Sequence, residues 1–166
     1  VGNKLIDLMR GYRKHHQKRV TIFSHFVGVP LITLATFILF GWIKISVPGL
    51  FTLSVTWIGI IFLAIYYLIL DILIGAATTF ILIVFCAITS IFTVNGPSAL
   101  GLKLFAITFI LGSVFQLIGY TFEGKKPALL YNSFYSVFTA PFLITAEILF
   151  KFGFKKDLQK QIDTTD

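Results

Sequence analysis

Four long apolar stretches, separated by short polar breaks, restrict what this chain can fold into. A helix that crosses a bilayer needs about 20 mainly apolar residues. The stretches run over 20–45, 51–70, 72–94 and 102–122. They are interrupted by Pro48-Gly49, by Asp71, by Asn95-Gly96-Pro97-Ser98 and by Glu123-Gly124-Lys125-Lys126-Pro127. Each break combines turn formers or charges that an apolar helix does not continue through. The expectation is an all-α integral membrane protein with four transmembrane helices. The first stretch is longer than a signal-peptide core and has no small-residue cleavage site, so it reads as a retained anchor. Composition agrees: 57% of the 166 residues are hydrophobic and only 13% charged, against about a quarter charged in soluble domains. A soluble enzyme, a disordered chain and a disulfide-stapled secreted module are all excluded. The single cysteine, Cys86, has no partner for an internal disulfide and reads as a small buried residue.

The net charge of +7 does not point to nucleic acid, because of where the charge lies. Lys4, Arg10, Arg13, Lys14, Lys18 and Arg19 precede the first stretch, and Lys151, Lys155, Lys156 and Lys160 lie at the C-terminal end. Basic segments flanking apolar spans set topology and contact anionic lipid. Residues 1–19 carry Leu5, Leu8, Met9 and Tyr12 at helical spacing among these charges, which predicts an amphipathic helix on the cytoplasmic face.

A fifth region, 128–152, is long enough to cross but carries Asn132, Ser133, Ser136, Pro141 and Glu147. With a cytoplasmic N-terminus, four crossings leave 12 basic residues inside and two outside, Lys44 and Lys103. A fifth crossing makes it eight against six. The positive-inside rule selects the first arrangement. The region is therefore expected to be a re-entrant or interfacial helical hairpin, broken near Pro141, and 153–166 a polar tail. Both termini are then cytoplasmic, in a bacterial inner membrane or, in a eukaryote, the endoplasmic reticulum. No internal repeat or linker divides the chain, so 1–166 reads as one domain.

Ionisable groups at the edge of a membrane are candidate functional residues. His15, His16 and His25, the entire histidine complement, fall within eleven positions around the entry to the first span. Nine residues place His16 and His25 on opposite faces of one helix, so they converge only if the chain bends near Gln17 to Arg19. Imidazoles are common metal ligands, yet interfacial histidines bonded to headgroups or backbone account for the same spacing. Gln116, Tyr120 and Glu123 share one helical face at i, i+4 and i+7, as a polar stripe facing the protein interior; packing by hydrogen bonds is the alternative. Asp71 fits a helix-end residue, and Glu147 requires a partner. The topology gathers the histidines, Tyr120 and Glu123 at the cytoplasmic end, between solvent and acyl chains, where an amphiphile with a long tail would bind.

Two segments carry a family resemblance. One is Tyr12-Arg-Lys-His-His16 with His25-Phe-Val-Gly28-Val-Pro30-Leu31. The other is Gln116-Leu-Ile-Gly119-Tyr120-Thr-Phe-Glu123-Gly-Lys-Lys-Pro127-Ala128-Leu129, followed by Ala140-Pro141 and Glu147. In order and spacing, over nearly the whole chain, this resembles the membrane 2-hydroxy fatty acid dioxygenases of fatty-acid α-oxidation. Tyr67 and Asp71 also fit. The resemblance implies Fe(II), dioxygen and a long-chain 2-hydroxy fatty acid shortened by one carbon, with His16 and His25 as metal ligands. Two positions depart from the family pattern: Thr21 stands where an asparagine is usual, and Tyr120 where a histidine is usual. His15 or Tyr120 would then have to make up a ligand set. Two imidazoles and a carboxylate with open positions suit non-haem Fe(II). Glu123 is the candidate carboxylate, as ligand or as orienting partner, and Lys125 and Lys126, with Gln116, are candidates for holding the substrate. The competing expectation is a silent lipid-binding protein of the same fold that has lost the metal.

Overall fold

The computed structural model describes residues 2–15, 18–49, 51–124 and 133–164. The described residues form seven helices and one small β-hairpin. The elements in order are α1 (Gly2–His15), α2 (Arg19–Gly41), β1 (Lys44–Val47), β2 (Phe51–Ser54), α3 (Val55–Leu70), α4 (Ile72–Thr93), α5 (Ala99–Glu123), α6 (Ser133–Lys151) and α7 (Lys156–Asp163). Helices α2, α4 and α5, of 23, 22 and 25 residues, are long and apolar enough to cross a membrane. At 1.5 Å per residue they reach about 33–38 Å.

The second expected span is different. Its helix, α3, has 16 residues and covers about 24 Å, short of the roughly 30 Å hydrocarbon core. The apolar run on either side of Pro48-Gly49 is β-structure instead. Lys44 pairs with Ser54 and Val47 with Phe51 in an antiparallel ladder. Gly49 supplies the positive φ of 78° that the turn requires. Ile45, Val47 and Thr52 are β-branched residues suited to strands, and a short apolar run does not distinguish strand from helix by hydropathy. The first span therefore ends at Gly41 rather than at residue 45.

Asp71 separates α3 from α4 and determines where α4 begins. Its carboxylate accepts the backbone N–H groups of Leu73 and Ile74, both at 3.0 Å, and pairs with Lys155 Nζ at 2.9 Å. Loss of an N-cap typically costs about 0.5–2 kcal/mol. Asp71→Ala is expected to lower stability by about 1–2 kcal/mol, and Asp71→Asn, which keeps the cap but not the ion pair, by less. Thermal melts of the detergent-solubilised variants check this order.

The most extensive helix pairing is between α2 and α5, where small residues let the backbones approach. A Cβ on Gly28 would lie 3.1 Å from Gly112 O, and one on Gly112 would lie 3.0 Å from Ile32 N. Gly112 and Gly119 are seven residues apart, on one face. Close approach of this kind is the usual means of packing helices in lipid, where burial of apolar surface gives no drive. Phe109, Ile110, Val114 and Leu117 on α5 point outward.

Two expectations for the C-terminal third are corrected. The region is not a hairpin broken at Pro141: α6 runs through that proline as one helix. Residues 128–132 lie outside the described residues. An interior proline costs about 3 kcal/mol, which the buried side chains of Phe142, Leu143, Ala146 and Phe150 offset by packing into the core beside Tyr67 and Ile74. The Tyr67 hydroxyl also donates to the Phe138 carbonyl. Nor is 153–166 simply a polar tail. Its helix α7 buries Ile162, and its Gln161 carbonyl accepts from Arg10 Nη2 at 2.8 Å. The amphipathic α1 is present, but its apolar residues Leu5 and Met9 are buried in the core of the protein itself.

Candidate functional site

The end of the bundle where α2 begins and α5 finishes gathers most of the polar residues singled out above. His25, one and a half turns into α2, is only 4% exposed. Its imidazole meets the Tyr120 ring edge-to-face with centroids 5.3 Å apart. Gly119 makes room for it: a Cβ there would lie 3.3 Å from His25 Cδ2 and 3.4 Å from Nε2. Beside it, the Thr21 hydroxyl donates to the Gly119 carbonyl at 3.2 Å. Thr21 thus ties α2 to α5 one turn before the histidine. The Tyr120 hydroxyl is 3.5 Å from Gln116 Oε1, and Gln116 packs against Gly28. The stripe of Gln116, Tyr120 and Glu123 therefore does face the protein.

Glu123 lies one turn beyond Gly119 on α5. Its Oε1 accepts the backbone N–H of Lys18, the N-cap of α2, at 2.8 Å. Lys18 Nζ in turn donates to the Phe122 carbonyl at 2.5 Å. A carboxylate at the positive end of a helix dipole is favourable, so this contact ties the start of α2 to the end of α5. Gly124, with φ of 67°, then closes α5. Helix α1 ends at His15, and α2 begins at Arg19 after an extended Lys18. His16, Lys125, Lys126 and the side chain of His15 lie outside the described residues.

The donor set fits a metal in part. The described residues bring a buried imidazole, His25, and a carboxylate, Glu123, to the same end of the α2–α5 pair, and His16 is two residues before Lys18 in the sequence. Among the described residues no three of His, Cys, Asp and Glu cluster together. A metal there would need His16.

A second feature adjoins this one and was not legible in the sequence. A cavity of about 280 Å³ opens between α1, α2 and α6, lined by Tyr12, Arg13, Ile22, Phe26, Glu147 and Lys151. Arg13 Nε bonds Glu147 Oε1 at 2.6 Å, and Arg13 Nη1 pairs with Asp163. Glu147 thereby has the partner it requires, 134 positions away. Burial alone would lower the Arg13 guanidinium, but the hydrogen bond and charge of Glu147, with Asp163, raise it overall. Burial first, and the Glu147 charge second, push the Tyr12 phenol above its ordinary range, so it stays protonated. Lys151 Nζ sits over the Phe26 ring, 5.1 Å from its centroid. Ile22 and Phe26 flank His25 on α2, so the cavity and the histidine occupy neighbouring faces of one helix.

The family described as 2-hydroxy-palmitic acid dioxygenase Mpo1-like matches residues 3–152. A relative in Saccharomyces cerevisiae, the 2-hydroxy-palmitic acid dioxygenase MPO1, is 27% identical over 169 residues, covering 98% of this chain and 91% of the yeast protein. No solved structure matches.

Proposed function

Because the chain belongs to the Mpo1-like family, we propose that it is an iron-dependent membrane dioxygenase that shortens long-chain 2-hydroxy fatty acids by one carbon. The family match over nearly the whole chain carries this reading, and the burial of His25 against Gly119 and Tyr120 supports it. His16 and His25 would hold Fe(II), with Glu123 positioning the start of α2 through Lys18. Iron bound by two imidazoles, with positions left open, would supply activation of dioxygen and chelation of a 2-hydroxy acid. The protein's own part is to exclude water around His25 and to hold its ring: Gly119 admits the imidazole and the Tyr120 edge limits its rotation. Both termini are proposed to face the cytoplasm, with the acyl tail in the bilayer.

The test is direct. Full-length protein, purified without oxygen and reconstituted with ferrous iron, is given dioxygen and 2-hydroxypalmitate. The expected result is a 15-carbon product that requires both iron and dioxygen; its absence overturns the reading. One observation favours a second reading. Thr21 bonds to Gly119 and Tyr120 packs on His25, so both departures from the family pattern have structural work of their own. Acyl-chain binding without iron uptake would select a silent lipid-binding protein.

A further inference from the structure

We propose that the cavity between α1, α2 and α6 binds the carboxylate of a fatty acid, with Lys151 as the group that holds it. The inference rests on the acyl substrate class proposed above and adds a site to it. Three observations carry it. The cavity is lined by Arg13, Lys151 and Glu147, and Arg13 is engaged by both Glu147 and Asp163, which leaves Lys151 as the lining cation not held by a carboxylate among the described residues. Glu147 and Lys151 stand at i and i+4 on α6, the spacing at which such a pair ordinarily forms. Here Arg13 has taken the carboxylate at 2.6 Å, and among the described residues the ammonium of Lys151 makes no ion pair. It rests on Phe26 instead. A contact with a ring face is weaker than a charge-assisted hydrogen bond to a carboxylate, so an incoming acid can displace it.

The remaining walls suit the same ligand. Tyr12 stays protonated and lines the polar side, and Ile22 with Phe26 supplies the apolar side. A volume of about 280 Å³ falls just below the range of ligand sites, roughly 300–1,000 Å³. It is sized for a headgroup and the first carbons rather than a whole acyl chain, whose tail would continue along the outward-facing apolar surface.

The experiment measures binding of radiolabelled palmitate, and separately its methyl ester, to the full-length protein in nanodiscs of neutral lipid. Wild type is compared with Lys151→Glu and Lys151→Arg. Lys151→Glu is expected to weaken palmitate binding at least about tenfold, the order of one charge-assisted contact. Lys151→Arg retains it, and neither change moves binding of the ester, which has no anionic head. Unchanged palmitate binding in Lys151→Glu overturns the proposal. So does equal loss of acid and ester, which marks a structural role. Adding phosphatidylglycerol separates the two sources of an anionic head: if it displaces palmitate from wild type at matched concentration, the site belongs to anionic lipid and the proposal fails. Palmitate binding that depends on Lys151, in a protein that does not turn over 2-hydroxypalmitate, supports the site while removing the reaction.

Discussion

Replacing His25 by alanine is expected to reduce bound iron to background and turnover of 2-hydroxypalmitate by at least about a hundredfold. Even partners that only orient a metal ligand typically cost 10–100-fold in affinity or activity, and a ligand costs more. His25 is the candidate ligand whose surroundings are described, and it is held by the α2–α5 contact rather than by a loop. The alanine also leaves a void beside Gly119, so iron loss needs to be separated from unfolding. His25→Gln keeps most of the volume and offers an amide in place of the imidazole. Both variants are expected to lose iron, and His25→Gln to keep a thermal midpoint close to wild type. Iron content is read by metal analysis on anaerobically prepared protein without a histidine tag. Retention of about one iron per chain in either variant would remove His25 from the ligand set. Glu123→Gln is the companion. The amide carbonyl can still accept the Lys18 N–H, so a positioning role predicts retained iron with affinity about tenfold weaker. Complete loss would make Glu123 a ligand in its own right.

The largest expected effect on stability comes from Gly75→Ala. A Cβ at this position would lie 2.5 Å from Tyr67 O, 2.6 Å from Tyr67 C and 2.8 Å from Leu68 N. All three atoms belong to the α3 backbone, so no side chain can rotate away and the two helices must separate. Overpacking of this kind costs about 1–3 kcal/mol, and a clash with backbone belongs at the upper end. The same shift would displace Tyr67, whose hydroxyl anchors α6 at Phe138, and would loosen the layer that forms the cavity. The control is Gly59→Ala in the same helix pair. Nothing lies within 4 Å of its would-be Cβ, so only helix propensity acts, and alanine is expected to stabilise by about 0.5–1 kcal/mol. Opposite shifts of the thermal midpoint are predicted. A destabilised Gly59→Ala, or a neutral Gly75→Ala, would contradict the packing described.

The apolar stretches were legible as spans because hydropathy over about 20 residues is a strong signal, and α2, α4 and α5 lie where the stretches predict them. The facing ends of the first two stretches misled for a local reason. Ile45 and Val47 are as apolar in a strand as in a helix, and Pro48-Gly49 separates two spans or two strands equally well. Pro141 misled in the opposite sense, because a helix interrupter is read against propensity alone, while Phe142, Leu143, Ala146 and Phe150 bind the helix to the core. In the site, Gln116, Tyr120 and Glu123 could be placed on one face from their spacing, and His25 could be placed near them from topology. What each contacts could not. Glu123 serves the Lys18 N–H, 105 positions away, and no spacing rule reaches that far.

Membrane character, the main helices and their polar punctuation follow from residue order, because they depend on composition within windows of one or two dozen residues; the family resemblance rests instead on the spaced motifs around His16, His25 and Gln116. Pairing depends on which helices meet, and that is decided by side-chain volume across the whole chain. Gly28, Gly112 and Gly119 bring α2 and α5 close enough for His25 to lie under Tyr120. Arg13 on α1 reaches Glu147 on α6 and Asp163 on α7, so Lys151 is left facing a cavity instead of its neighbour one turn away. Glu147 requires a partner, and only the docking of α1 supplies it as Arg13 rather than as Lys151 one turn along the same helix.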